Sequence, residues 1–272
     1  MSLINKILAV LMLSSVFSMA KANSNDIVNV TFNNDAVGKY TNQMLKKDFP
    51  NREWGALDRA EIVSDIDRER GNVLKVTYPR DALGPREGGV QFLVNLQPAE
   101  ELWLSYYVKF EKGFDFRLGG KLPGLTSGEG KFTGGHKPKN GEGWSARYMW
   151  RKYGESVIYL YYIDMPGKWG EDIKLDGFHF IPGRWYNLVQ HIKLNTNSKA
   201  NGTIEVWING EKKLSRNNLR LRLGDMGLID SFYFSTFHGG NTRDWSPYVE
   251  SIALFDDIII SKDPIIYSKT KK

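Results

Sequence analysis

The chain has 272 residues, 37 Lys+Arg against 31 Asp+Glu, a formal charge of +6 and no cysteine. With 41% hydrophobic and 25% charged residues it has the make-up of an ordinary soluble domain, which excludes disordered and collagen-like chains. The lack of cysteine excludes disulfide scaffolds, thiolate-ligated metal centres and cysteine nucleophiles, so the fold must rest on packing and hydrogen bonding, and its 13% aromatic residues are a rich supply for both.

In chain order, Ile7 to Phe17 is almost wholly apolar behind Lys6, and Ala20-Lys21-Ala22 fits a small-x-small cleavage site. The apolar run of about 11 residues falls short of the ~20 needed to span a bilayer, so residues 1–22 read as a secretory signal peptide, not an anchor. Its removal takes Lys6 and Lys21 and no acid, and lowers the net charge by two. Residues 23–272 hold no repeat, low-complexity tract or Pro/Ser-rich linker, and read as a single domain of a secreted or periplasmic protein with no later membrane span.

Short helices are expected near Asn42–Leu45 and around Arg216–Arg222; elsewhere the period is two. Leu102, Leu104, Tyr106, Val108 and Phe110 alternate with Trp103, Ser105, Tyr107 and Lys109. Ala146, Tyr148 and Trp150 alternate with Ser145, Arg147, Met149 and Arg151, and similar runs cover 157–163 and 203–208. These read as half-buried strands. Asn209-Gly210 is a hairpin signal, because a type I′ turn needs positive φ at both central residues. Gly71-Asn72, Pro182-Gly183 and Asn201-Gly202 mark further turns. Many strands with Gly-rich connections and no β-α alternation point to an all-β, two-sheet antiparallel sandwich. The stretch Gly113–Gly143 holds ten glycines with Lys121, Lys131, Lys137 and Lys139, and reads as a long functional loop.

Little catalytic chemistry is on offer. His136, His179, His191 and His238 are too scattered for a metal site, so no metal or other cofactor is expected. Dispersed basic residues and export argue against nucleic acid. Asp65, Asp67 and Glu69 would share one strand face, as a glycosidase requires, but they run into the Gly71-Asn72 turn and read better as a solvated strand end. The stronger constellation is Lys121, Ser145-x-Arg147 and Tyr159-x-Tyr161. Period two places each pair on one face, and the two runs lie close enough to form a hairpin around Gly154. Arg, Lys and phenols suit β-elimination of a uronate. A cation neutralises the carboxylate beside C5, a base removes the C5 proton, and an acid protonates the departing O4.

The blocks Leu118-Gly119-Gly120-Lys121-Leu122-Pro123-Gly124-Leu125, Ser145-Ala146-Arg147-Tyr148-Met149-Trp150 and Tyr159-Leu160-Tyr161-Tyr162 resemble polysaccharide lyase family 14. The resemblance continues through Gly202–Gly210 to Ser235-Thr236-Phe237-His238-Gly239-Gly240 and Phe255-Asp256-Asp257-Ile258, and so runs from about Gly71 to Ser261. A fainter likeness is to the family 20 glucuronan lyases. The resemblance implies a concanavalin-like β-jelly roll acting on an anionic polysaccharide such as alginate or glucuronan, with Lys121, Ser145, Arg147, Tyr159 and Tyr161 as catalytic set. In that reading Tyr159 or Tyr161 is base or acid, Arg147 and Lys121 neutralise the carboxylate, and Ser145 orients the sugar. Gln91, Arg151 and His238 are further substrate-binding candidates. A monomer is expected. Two rival readings are a non-catalytic carbohydrate-binding sandwich and a glycoside hydrolase using the Asp65/Glu69 region.

Overall fold

Alternation at period two becomes two stacked antiparallel sheets in the computed structural model, which describes residues 25–67 and 69–267. The proposed signal peptide lies outside the described residues. The first elements are β1 (Asp26–Val30), β2 (Gly38–Lys39), α1 (Asn42–Asp48), β3 (Arg52–Ala56), β4 (Ala60–Ser64) and β5 (Asn72–Tyr78). The short helix α2 (Gly84–Glu87) leads into β6 (Val90–Ala99), β7 (Glu101–Phe110), β8 (Gly119–Ser127), β9 (Trp144–Arg151) and β10 (Glu155–Tyr161). Then come β11 (Glu171–His179), β12 (Trp185–Lys193), β13 (Gly202–Ile208), β14 (Glu211–Leu219), β15 (Ile229–His238) and β16 (Ser251–Ser261).

One sheet has nine strands in the order β14-β13-β12-β7-β16-β5-β4-β2, with β1 on β16; the other has seven, β11-β10-β9-β8-β15-β6-β3. The inward residues of β7, from Leu102 to Phe110 in steps of two, are fully buried, as are Ala146, Tyr148 and Trp150 of β9. Across the interior Tyr106 meets Tyr148 edge-on at 6.0 Å and Phe110 meets Trp150 at 5.5 Å. Each such burial is worth about 1.5–3 kcal/mol. Gln190 of β12 ties the sheets together. Its Oε1 accepts from the Leu125 amide at 3.0 Å and its Nε2 donates to the Ala146 carbonyl at 2.8 Å. That settles a buried amide which would otherwise cost stability.

The Asn209-Gly210 turn joins β13 to β14 with φ of 50° and 81°, as a type I′ turn requires. The helix expected near Asn42 is α1, capped by Thr41, whose side chain accepts from the Met44 amide. The helix expected around Arg216–Arg222 is absent. Arg216 to Leu219 continue the hairpin as the end of β14, an edge strand whose mostly exposed side chains leave no periodic trace, and residues 220–222 follow it in no regular element. Gly113–Gly143 is not one loop either, since β8 runs through its middle and only residues 128–143 form the long connection to β9. Among the described residues no helix is long and apolar enough to cross a membrane.

Asp65 is not a solvated strand end. It is 4% exposed, and the segment after β4 lays it over the outer side of β7. There its Oδ1 lies 3.4 Å from the fully buried Lys109 ammonium, and Asp67 lies 2.5 Å away. These carboxylates are absorbed in an ion cluster on the nine-stranded sheet, which removes the constellation a hydrolase would need.

Candidate functional site

The outer face of the seven-stranded sheet gathers the residues singled out above. On β9, Ser145, Arg147, Met149 and Arg151 turn away from the core that holds Ala146, Tyr148 and Trp150. The register with β10 sets Arg147 opposite Tyr159 and Ser145 opposite Tyr161. On the other side of β9, Lys121 of β8 lies opposite Met149, and Gly124 opposite Arg147. Three steps along β8 thus match two along β9, a bulge that brings Lys121 onto this face. Gly124 allows the close approach, since a Cβ there would stand 2.2 Å from the Ala146 carbonyl oxygen.

The cations are poorly compensated. Lys121 Nζ sits 3.0 Å from the Met149 sulfur and 4.3 Å from the centre of the Tyr159 ring, with no ion pair among the described residues. Burial, reinforced by Arg147 and Arg151, holds its pKa well below the usual lysine range. Arg147 is 2% exposed and also lacks a carboxylate partner. One of its terminal nitrogens donates to Ser235 Oγ at 3.2 Å, its Nε has no partner, and its guanidinium centre is 5.5 Å from the Tyr233 ring. Burial lowers its pKa too, yet a guanidinium stays protonated in proteins. Arg151 alone is paired, to Asp172 of β11.

The phenols differ in their ties. Their oxygens are 3.5 Å apart, and that of Tyr161 accepts the Gly135 amide at 3.0 Å. Burial, then the neighbouring Tyr161, raises the Tyr159 pKa, so its proton is retained. Ser145 Oγ is buried and donates to the Phe132 carbonyl at 2.7 Å. It anchors the 128–143 connection over the site; it does not point a hydroxyl at a ligand. Gln91 of β6 lies on the same face, with its Nε2 donating to Tyr233 OH at 2.6 Å and to Ser235 Oγ at 2.9 Å.

His238 is not part of this surface. Period two along β15 puts Tyr233, Ser235 and Phe237 on the site face and His238 on the core face. There it is 2% exposed among Tyr78, Phe114 and Trp150, and its ring Nε2 donates to the Asp115 carbonyl at 2.6 Å. Burial takes its pKa down to about 4. A substrate contact is therefore ruled out by the parity of the strand. Sequence reading passed over Met149, Asp172, Tyr233, Ser235 and Trp245. For Tyr233 and Ser235 the alternation along Ile229–His238 is the signal that marks them. Asp172 and Trp245 reach the site through pairing and loop packing, which leave no local pattern. Among the described residues no group of three His, Asp or Glu is arranged to hold a metal.

The family model described as polysaccharide lyase 14 matches residues 67–258. A mutant of the alginate lyase Aly36B in complex with alginate tetrasaccharide is 29% identical, with a TM-score of 0.77 over 88% of this chain and 97% of that one. The alginate lyase of Aplysia kurodai shares the fold at 22% identity and a TM-score of 0.74, over 88% of this chain and 100% of that one. The endo-β-1,4-glucuronan lyase of Trichoderma reesei shares it more distantly, at 16% identity and 0.53, over 91% and 98%. No curated protein sequence matches the chain significantly. A match that takes in β8, β9 and β10 with their cations and phenols, on a jelly-roll sandwich, makes this chain a member of polysaccharide lyase family 14 and a polysaccharide lyase.

Proposed function

We propose that this protein cleaves an alginate-type polyuronate by β-elimination and leaves an unsaturated uronate at the new non-reducing end. The observation that carries this reading is the charge imbalance of the site, where Lys121, Arg147 and Arg151 lie beside two phenols and, among the described residues, Arg151 alone has a carboxylate partner, Asp172. A sugar carboxylate is the natural missing partner, and Arg147 offers it an unspent guanidinium fork. Alginate is favoured over glucuronan by the closer likeness to a lyase solved with an alginate oligosaccharide.

The roles follow from the local electrostatics. Arg147 neutralises the carboxylate, so that the negative charge developing at C5 spreads into it at lower cost. Lys121, whose pKa burial and then the two guanidinium groups lower, is the amine placed to take the C5 proton. Tyr159 keeps its proton and delivers it to O4 as the C4–O4 bond breaks and the C4=C5 double bond forms. Tyr161, held by the Gly135 amide, orients Tyr159. The allocation differs from the first expectation in giving the base role to Lys121 and a loop-anchoring role to Ser145. Residues 23–272 act after removal of 1–22 on export, which N-terminal sequencing of the secreted protein checks.

The deciding experiment incubates the purified protein with alginate, glucuronan and a neutral glucan, and follows the ultraviolet absorbance of the conjugated double bond. Absorbance rising with alginate supports the reading. Retention of alginate without new unsaturated ends makes the protein a binding module, and reducing ends without a double bond make it a hydrolase.

A further inference from the structure

Arg147 and Arg151 leave β9 on the same face, yet their surroundings differ. Tyr159 lies opposite Arg147 across one ladder and opposite Asp172 across the other. Arg151 reaches over this row, with its guanidinium centre 5.4 Å from the Tyr159 ring and 5.7 Å from the Trp245 ring, and its terminal nitrogen closes on Asp172. Its Nε is buried without a partner, so among the described residues Asp172 alone hydrogen-bonds this guanidinium. The pair is only partly exposed, at 18% for Arg151 and 38% for Asp172. A partly shielded pair of this kind is less screened by salt than a surface pair.

Building on the lyase reading above, we propose that Asp172 is a positioning residue that clamps Arg151 across the Tyr159 ring and withholds it from the substrate, leaving the uronate carboxylate to Arg147. Arg147 and Arg151 are four residues apart and leave the strand about 13 Å from each other, with Met149 between them. An unclamped Arg151, with its long side chain, would seize the next carboxylate along and pull the chain out of register with Arg147. Binding would tighten while the C5 proton moved out of line with Lys121. Affinity gained in the ground state alone does not speed the reaction.

The test is Asp172→Asn, read by calorimetric binding of alginate tetrasaccharide at low and high salt and by kinetics on alginate. The expected result is binding about threefold to tenfold tighter at low salt, with a steeper salt dependence than wild type. At the same time kcat falls about tenfold, because a small misplacement at the reacting centre is costly. The fall in kcat with a fall in KM is a split that simple loss of structure does not produce. In an Arg151→Met background, Asp172→Asn leaves tetrasaccharide affinity where Arg151→Met alone puts it. Lys174→Gln, an exposed neighbour on β11, behaves as wild type. Wild-type affinity and salt dependence in Asp172→Asn overturn the proposal, as does weaker binding together with lost turnover. Because the binding arm needs no turnover, a wild-type protein that binds the tetrasaccharide without making unsaturated ends refutes the lyase reading and not the clamp. A wild-type protein that does not bind it refutes both.

Discussion

Two clusters of buried cations lie on opposite outer faces of the sandwich, and they are built to opposite ends. On the nine-stranded sheet Lys109 lies among Asp67, Asp65 and Glu111 at 2.5, 3.4 and 3.5 Å. Beside it Arg70 is paired with Asp256 and Asp257 and stacks 3.7 Å above the Tyr107 ring. The Trp185 indole N–H donates to Asp65 at 3.3 Å. Every cation there is over-supplied with carboxylate. On the seven-stranded sheet Lys121, Arg147 and Arg151 lie together, and among the described residues Arg151 alone is paired, to Asp172. The lysines record the difference. Burial works against both ammonium groups, but the carboxylates around Lys109 outweigh it and raise its pKa, whereas the guanidinium groups near Lys121 add to it and lower the pKa. A filled charge cluster binds segments of the chain to one another. An unfilled one is kept for a ligand and is carried at the fold's expense.

The contrast is broken most severely by emptying each side of its lysine. Lys121→Met should lower kcat/KM by about a thousandfold or more, while the melting temperature holds or rises, because a buried amino group with no ion-pair partner among the described residues has gone. Lys109→Met should do the reverse. Three carboxylates left facing each other without a cation cost about 3–5 kcal/mol in urea unfolding, and kcat/KM per folded molecule stays near wild type. If Lys121→Met proved as destabilising as Lys109→Met, the distinction between the faces would not stand.

A third measurement separates both surfaces from the interior. The folded protein keeps His238 neutral, with a pKa of about 4 against 6.5 when exposed, so protons bind the unfolded chain in preference. That part of the stability is whole above about pH 6.5 and is lost as the pH falls toward 4, on the order of 3 kcal/mol. His238→Phe should flatten the pH dependence of the melting temperature over this window and leave the response of KM to salt untouched. The smallest effect is that of salt itself. Raising ionic strength well above physiological should weaken alginate binding about threefold to tenfold as the unpaired cations are screened, and should shift the melting temperature little.

Much of the site could be read along the chain because strands carry their geometry in their parity. Ser145 with Arg147 and Tyr159 with Tyr161 needed only period two and a short connection, and the hairpin followed from the spacing around Gly154. What parity cannot carry is which partner a side chain finds across the sandwich. Asp65 looked like an exposed strand end because Lys109 lies 44 residues away in sequence. Ser145 looked like a sugar contact because the carbonyl of Phe132, which accepts its hydrogen bond, belongs to an irregular connection. His238 was misplaced for a different reason: the alternation of Tyr233, Ser235 and Phe237 was there to be used. The helix expected near Arg216 failed because an edge strand exposed on most sides has no apolar rhythm to give it away.

The bulge between Lys121 and Gly124 decides how the site responds to a change of length in β8. If Leu122 or Pro123 were deleted, β8 would regain an unbroken ladder with β9, and the backbone would gain hydrogen bonds. The same repair would leave Lys121 opposite Met149 on the site face, because two steps along β8 would then match two along β9. A single-residue deletion at the bulge would thus leave a folded sandwich that keeps its base, as insertions in the 128–143 connection do. The bulge is a place where β8 can change by one residue without moving Lys121 off the site face.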